Sequence, residues 1–336
     1  VNLPSVFENR EEYSVQRLDE LRMALRATND AEPAGACLYV TGSYGRLEAT
    51  EHSDLDLFIV DGVRTAPLGR IKSWLMRADI VRVARELNFA EFTGDARYLE
   101  AHTLPEMVKH IGGPEDDARN FFTARLLLLL EGQPLVGLEA YTHVREAFLK
   151  EYLRDYLRHR EDFRPTFFLN DVARFWKTLA LNYERARNEL VRSTMGGDPA
   201  VTNPDVWARH SLKNLKLKFS RLMTCYSGVI AVASSFSQGT LDPDSLAESL
   251  DLSPVARLHS VRERDPRTDA SVSAALEEYA WFLQFTEAPV AEQVASLQDL
   301  DFRSEAFSRA TEFGDRIYEA VVAATDGTAL LRFLVV

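Results

Sequence analysis

Cysteine is nearly absent: the 336 residues contain only Cys37 and Cys225, and neither stands in a CxxC pair or beside a histidine-rich tract. That excludes a disulfide scaffold and a structural zinc site, and it suits a reducing compartment, so a cytoplasmic protein is expected. Long apolar runs are missing too. The longest, Leu126–Leu130 among them, fall far short of the roughly 20 residues that span a bilayer, so no membrane partner is expected. The opening residues, VNLPSVFENREEYS, lack the basic flank, apolar core and small-residue cleavage site of a signal peptide. No internal repeat or low-complexity tract is present. Positive charge is scarce, with 39 Lys and Arg against 51 Asp and Glu and a net charge of −12, which argues against wholesale wrapping of nucleic acid. The exception is residues 151–230, where 14 basic residues face 9 acidic ones. An anionic partner is expected there if anywhere.

What is present is the balance of a globular protein, 46% apolar and 27% charged, with enough chain for two domains. Tyr13, Leu18, Leu21 and Leu25 recur at helical spacing near the start. Two strand-like runs follow, Ala36–Val40 and Leu55–Val60. Residues 69–87 read as an amphipathic helix with Ile71, Trp74, Leu75, Ala78 and Val81 on its apolar face. A third strand is expected between Phe89 and His102, broken at Thr93-Gly94-Asp95. From Asp116 onward the period is helical, with long helices expected over 116–131, 139–157, 168–193, 209–236, 269–285 and 302–325. Asp116 and Asp117 read as first-turn acids complementing a helix dipole, and Leu126–Leu130 as core. Linkers are expected at 194–207 and 238–254, both rich in Gly, Pro, Asp and Ser. The fold class is α+β: a small mixed sheet with flanking helices over residues 1–135, then a larger all-helical domain over 136–336.

The stretch that carries chemistry is YVTGSYGRLEATEHSDLDLFIV, residues 39–60. A strand runs into Gly42-Ser43, where glycine lets the backbone approach a ligand and the N–H groups of a following short helix, with the Ser43 hydroxyl, offer a seat for phosphate oxygens. Ser53-Asp54-Leu55-Asp56 then opens a second strand. Residues two apart on a strand share a face, so Asp54 and Asp56 project together while Leu55 and Leu57 point to the core. Two adjacent carboxylates repel unless a cation sits between them, and hard oxygen ligands suit Mg²⁺ or Mn²⁺.

This pattern, Gly-Ser, an intervening helix and Asp-x-Asp at a strand, resembles the signature of the DNA polymerase β-like nucleotidyltransferase superfamily. It is most similar to the amino-terminal domain of PII-protein uridylyltransferases and related nucleotidyltransferases. Arg46 after the second Gly and Ser53 before the first Asp match that group, and DDARNFFTARLLLLLEGQPLVG, residues 116–137, resembles the helix that follows its sheet. The resemblance spans about residues 36–137. Over the rest of the sequence no hydrolase or ligand-sensing domain of the kind found in full uridylyltransferases is recognised, so the resemblance carries no expectation of nitrogen regulation. The resemblance implies attack of an acceptor on the α-phosphorus of a nucleoside triphosphate with release of pyrophosphate. Gly42 and Ser43 would hold phosphates with Arg46 and Ser53 nearby, and Asp54 and Asp56 would hold the metals. A third carboxylate on a neighbouring strand would complete the metal site and serve catalysis. Glu100, which alternates with Tyr98 and His102, is favoured; Asp95 is the other candidate.

Among lesser features, Asn170, Arg174 and Lys177 form a polar row on a helix, from which Arg174 and Lys177 are candidates to neutralise a triphosphate. Lys213, Lys216, Lys218 and Arg221 form a second basic stretch without a clean aromatic platform. His102 reads as a strand histidine before it reads as a base. The expected acceptor is protein or RNA rather than a small molecule, in a toxin or defence enzyme; oligomeric state is not assigned. The competing function is a non-catalytic nucleotide-binding or interaction module, which the intact Asp54 and Asp56 disfavour.

Overall fold

In the computed structural model the described residues are 5–28, 35–62, 69–90, 99–193 and 203–335. They divide into two compact units, the first built from residues 1–163 with 242–253, the second from 164–241 with 254–336.

The first unit is organised by a four-stranded mixed sheet of order β3-β2-β1-β4. Its strands are β1 (Ala36–Thr41), β2 (Asp56–Asp61), β3 (Ala101–Thr103) and β4 (Gln133–Val136). β1 runs antiparallel to both β2 and β4, and β2 runs parallel to β3. Both central strands are buried almost throughout, because each face is covered. On one face Leu38, Val40, Leu57 and Ile59 meet Leu18, Leu21 and Leu25 of helix α1 (Ser5–Arg26). A short helix α2 (Gly42–Gly45) follows β1, and α3 (Arg70–Glu86) adds Met76, Ile80 and Val83 to the same core. Each such side chain contributes about 1.5–3 kcal/mol on burial. On the other face Tyr39 stacks on Phe58 with centroids 5.5 Å apart, and the Tyr39 hydroxyl donates to the Ala124 carbonyl at 2.9 Å. That side is formed by α4 (Leu104–Lys109), α5 (Pro114–Ala118), α6 (Phe121–Glu131) and α7 (Leu138–Tyr152).

Three details differ from the sequence expectations. Helix α3 turns another stripe inward: Met76, Ile80, Val83 and Ala84 are buried, whereas Ile71 and Trp74 are 71% and 64% exposed. The helix carries apolar residues on two stripes, and the sheet takes the one that continues along its C-terminal half. The helix expected over 116–131 is broken by Asn120 at φ +60°, giving α5 and α6. Asp116 and Asp117 do stand in the first turn of a helix, α5, but Asp116 is in addition a fully buried partner of Arg125, with bidentate bonds of 2.8 and 2.9 Å. Tyr152 accepts from Arg125 Nε at 2.9 Å.

The chain past residue 135 also stays in this unit, because β4 pairs with β1 and α7 packs on β1. So does Pro243–Asp251, expected as linker but helical, with a reciprocal capping box between Asp242 and Ser245. It packs on α6 and α7 through buried Leu246 and Leu250, and its Asp251 pairs with Arg145.

The second unit is helical: α8 (Thr166–Ser193), α9 (Pro204–Lys216), α10 (Leu222–Ser237), α11 (Pro254–Arg264), α12 (Asp269–Phe285), α13 (Val290–Ser296), α14 (Leu300–Thr325) and α15 (Leu330–Val335). A π-helical turn, Leu217–Arg221, joins α9 to α10. It places Phe219 in an aromatic core, stacked on Phe282 at 4.6 Å and Phe313 at 5.1 Å. Helix α10 packs against α8, α11 and α14, and is apolar nearly all round for that reason.

Candidate functional site

The antiparallel register places Thr41, the last residue of β1, opposite Asp56, the first of β2. Gly42 therefore leaves one strand beside the carboxylate that enters the next. Its φ is +71°, and a Cβ on it would stand 2.6 Å from Asp56 Oδ2. Both conditions select glycine. Leu55 is buried while Asp54 and Asp56 remain half-buried, as the strand alternation expects. Ser53 closes the preceding turn: its Oγ accepts the Thr50 N–H at 3.0 Å, and its own N–H donates to the Thr50 carbonyl at 3.0 Å. Ser43 is half-buried at the start of α2, and its carbonyl accepts the Glu48 N–H at 2.8 Å.

Gly42→Ala is expected to cost about 1–2 kcal/mol, since left-handed backbone disfavours a Cβ and the Asp56 carboxylate must move. Urea denaturation checks it. Gly69→Ala is the control, at φ −53° with open space around it.

Beneath this turn lies a buried ionic network that sequence reading did not find. Arg46 Nε donates to Glu48 Oε2 at 2.8 Å and its Nη1 to Glu131 Oε2 at 3.0 Å, with all three side chains nearly solvent-free. Glu131 Oε1 accepts the Gly42 N–H at 2.8 Å. The end of α6 presses so closely on the turn that a Cβ at Gly45 would meet the Glu131 carbonyl oxygen at 2.3 Å. Helix α1 holds the far side: Arg10 Nη1 donates to the Glu48 carbonyl at 2.8 Å, and Ser14 Oγ accepts the Ala49 N–H at 2.9 Å. Arg46, expected beside a nucleotide, thus braces the turn, and the Gly42 amide, expected on phosphate, is bound to Glu131. One sequence signal pointed to Glu131. An acidic residue closing a leucine-rich helix opposes the macrodipole and calls for a partner.

Glu100 stands exposed just before β3. His102, next but one, is buried with its ring edge-on to Phe121 at 5.1 Å. Burial holds its imidazole below the ordinary range, while the nearby Glu100 pulls it the other way. Among the described residues no three carboxylate, imidazole or thiol groups converge to hold a metal, so Glu100 does not join Asp54 and Asp56 in a ready three-ligand set. Asp95 and Tyr98 lie outside the described residues. Arg174 and Lys177 belong to α8 in the second unit, where Arg174 Nε bonds Asp171 Oδ1 at 3.1 Å and Lys177 is exposed. Cys37 is no nucleophile, since burial pushes its thiol up to about 12.

Residues 6–95 match the family model described as "Putative nucleotidyltransferase DUF294". The match takes in α1, the Gly42-Ser43 turn, Asp54, Asp56 and α3, and ends before Glu100. No curated protein matches the chain.

Proposed function

We propose that this nucleotidyltransferase, whose residues 6–95 carry the superfamily's signature, moves a nucleoside monophosphate from a nucleoside triphosphate to a macromolecular acceptor. The observation that carries the reading is the packing of Gly42 against Asp56 across paired strand ends. A turn that suits phosphate and a carboxylate that suits a cation are two parts of one place. The first amides of a helix lack partners within it, so the α2 turn, with the Ser43 hydroxyl, remains the seat for the triphosphate even with the Gly42 amide on Glu131.

Nucleotidyltransferases generally use divalent metals. The donor chemistry here fits Mg²⁺ or Mn²⁺, with two hard carboxylates two residues apart at the entrance of β2 and a glycine that leaves room beside Asp56. Asp54 and Asp56 would hold it, and when bound it supplies positive charge to the triphosphate. The chain's own part is positioning. The Arg46–Glu131 network fixes the turn, and the turn orients the α-phosphorus toward the acceptor. The acceptor's nucleophilic atom bonds to that phosphorus as the bond to the bridging oxygen breaks; its proton passes to a base, and pyrophosphate leaves. We assign the base to Glu100 and keep Asp95 as the alternative. The basic surplus of residues 151–230 supports an anionic acceptor such as RNA, with protein the other arm of the test.

Incubation with each α-labelled nucleoside triphosphate, Mg²⁺ or Mn²⁺ and cell extract tests the reading. Label entering a ribonuclease- or protease-sensitive band supports it; no label from any triphosphate points to the non-catalytic nucleotide-binding module instead. Within it, Glu100→Gln is expected to keep triphosphate affinity and lower kcat by a factor of about 10²–10⁴, as loss of a general base does. If Asp95→Asn is the damaging change and Glu100→Gln is silent, the base is Asp95.

A further inference from the structure

Lys177, a candidate for the triphosphate, and Lys218, from the second basic stretch, share a different feature. They stand among the residues lining a cavity of about 450 Å³ in the helical unit, within the size range of small-molecule sites. Its floor is apolar and buried, with Leu169 and Val229 on one side and Ile317 and Val321 on the other. Trp176 and Tyr226, in edge contact at 6.2 Å, complete the wall.

Three observations mark this cavity as a built site rather than a packing defect. Lys218 is presented from the π-helical turn, a distortion of the helical ladder that recurs at functional sites. Neither lysine is ion-paired among the described residues, although the lining also includes exposed Asp315, which leaves the lining with a surplus of one positive charge. Gly314 sits within α14, where glycine costs roughly 0.5–1 kcal/mol against alanine, and a Cβ there would meet nothing within 4 Å. The helix thus gives up propensity at a position on the cavity wall.

We propose that the helical unit binds an amphipathic organic anion, a medium-chain carboxylate whose apolar body lies on the Leu169–Val321 floor and whose head group meets Lys177 and Lys218. Lysine suits this task, since its methylene stem lies along apolar surface while the ammonium stays at the wet rim. This inference is independent of the nucleotidyl-transfer reading.

Calorimetric titration of the full chain with decanoate, and with uncharged 1-decanol, tests it. Decanoate is expected to bind at a single saturable site and 1-decanol more weakly. Lys177→Gln/Lys218→Gln should weaken decanoate at least tenfold, equivalent to about 1.4 kcal/mol, and leave 1-decanol unchanged. Gly314→Phe should remove binding of both while circular dichroism stays that of the parent. Absence of saturable decanoate binding overturns the proposal, and so does binding that survives Gly314→Phe. Should Gly314→Phe not fold, the lysine pair decides alone: unchanged decanoate affinity there overturns the proposal.

Discussion

Asp56→Ala is expected to lower nucleotide transfer by a factor of roughly 10³ or more, the scale seen when a group that stabilises transition-state charge is removed. The melting temperature should stay near that of the parent. Asp56 sits at a strand entrance, half-buried and beside a second carboxylate, so its side chain adds little to the apolar core and its charge has a cation as its natural counterpart. Asp56→Asn should be nearly as damaging, because an amide matches the carboxylate in shape but carries no charge. Transfer measured with purified protein at saturating triphosphate and Mg²⁺ checks both, and near-parental activity in either would remove Asp56 from the metal site. Asp54→Ala is expected to follow the same pattern.

The second large effect is on stability. Asp116→Ala should destabilise the first unit by about 3–5 kcal/mol, because it leaves the Arg125 guanidinium buried without its carboxylate. Arg125 cannot escape by losing its proton. Burial alone would favour the neutral form, yet the hydrogen bonds and charge of Asp116 and Tyr152 outweigh it and hold the group well above its ordinary range. Truncating Asp116 also orphans the Gly112 N–H, which it accepts at 3.0 Å. The double change Asp116→Leu/Arg125→Met should cost far less than the single one, since a buried pair replaced by apolar groups of similar volume is often close to neutral. Urea melts of the three variants give the comparison. Equal losses in the single and double variants would show that packing volume, and not the unpaired charge, sets the cost.

The parts of the site that lie close together in sequence were legible there. Gly42-Ser43 and Asp54-x-Asp56 flank a hairpin-like connection, and alternation matches the burial there, with Leu55 inside and Asp54 and Asp56 half-buried, although β2 itself begins only at Asp56. The core stripe of α1 was legible for the same reason, a clean period with polar residues between. What failed was partner choice over long separations. Glu131 is 89 residues from the amide it accepts, and no local period encodes that. Strand β4 was missed because four residues including Pro134 do not look like a strand; proline is tolerated there because β4 is an edge. Helix α3 offered two apolar stripes, and only the sheet decided between them. The segment 238–254 reads as linker from its Gly, Pro, Asp and Ser content, yet Asp242, Pro243 and Ser245 are the start signal of a helix, and Leu246 and Leu250 are its buried face.

The return of that helix to the first unit bears on the order in which the protein is made. Residues 1–163 leave the ribosome ahead of 164–241, yet the unit they belong to is completed only by 242–253. Until residue 251 emerges, Arg145 lacks Asp251, and the surface of α6 and α7 that takes Leu246 and Leu250 stays open to water. All of 164–241 is synthesised in the interval. The first unit therefore lacks its last helix, and the apolar cover that helix gives to α6 and α7, until the intervening helices have been synthesised.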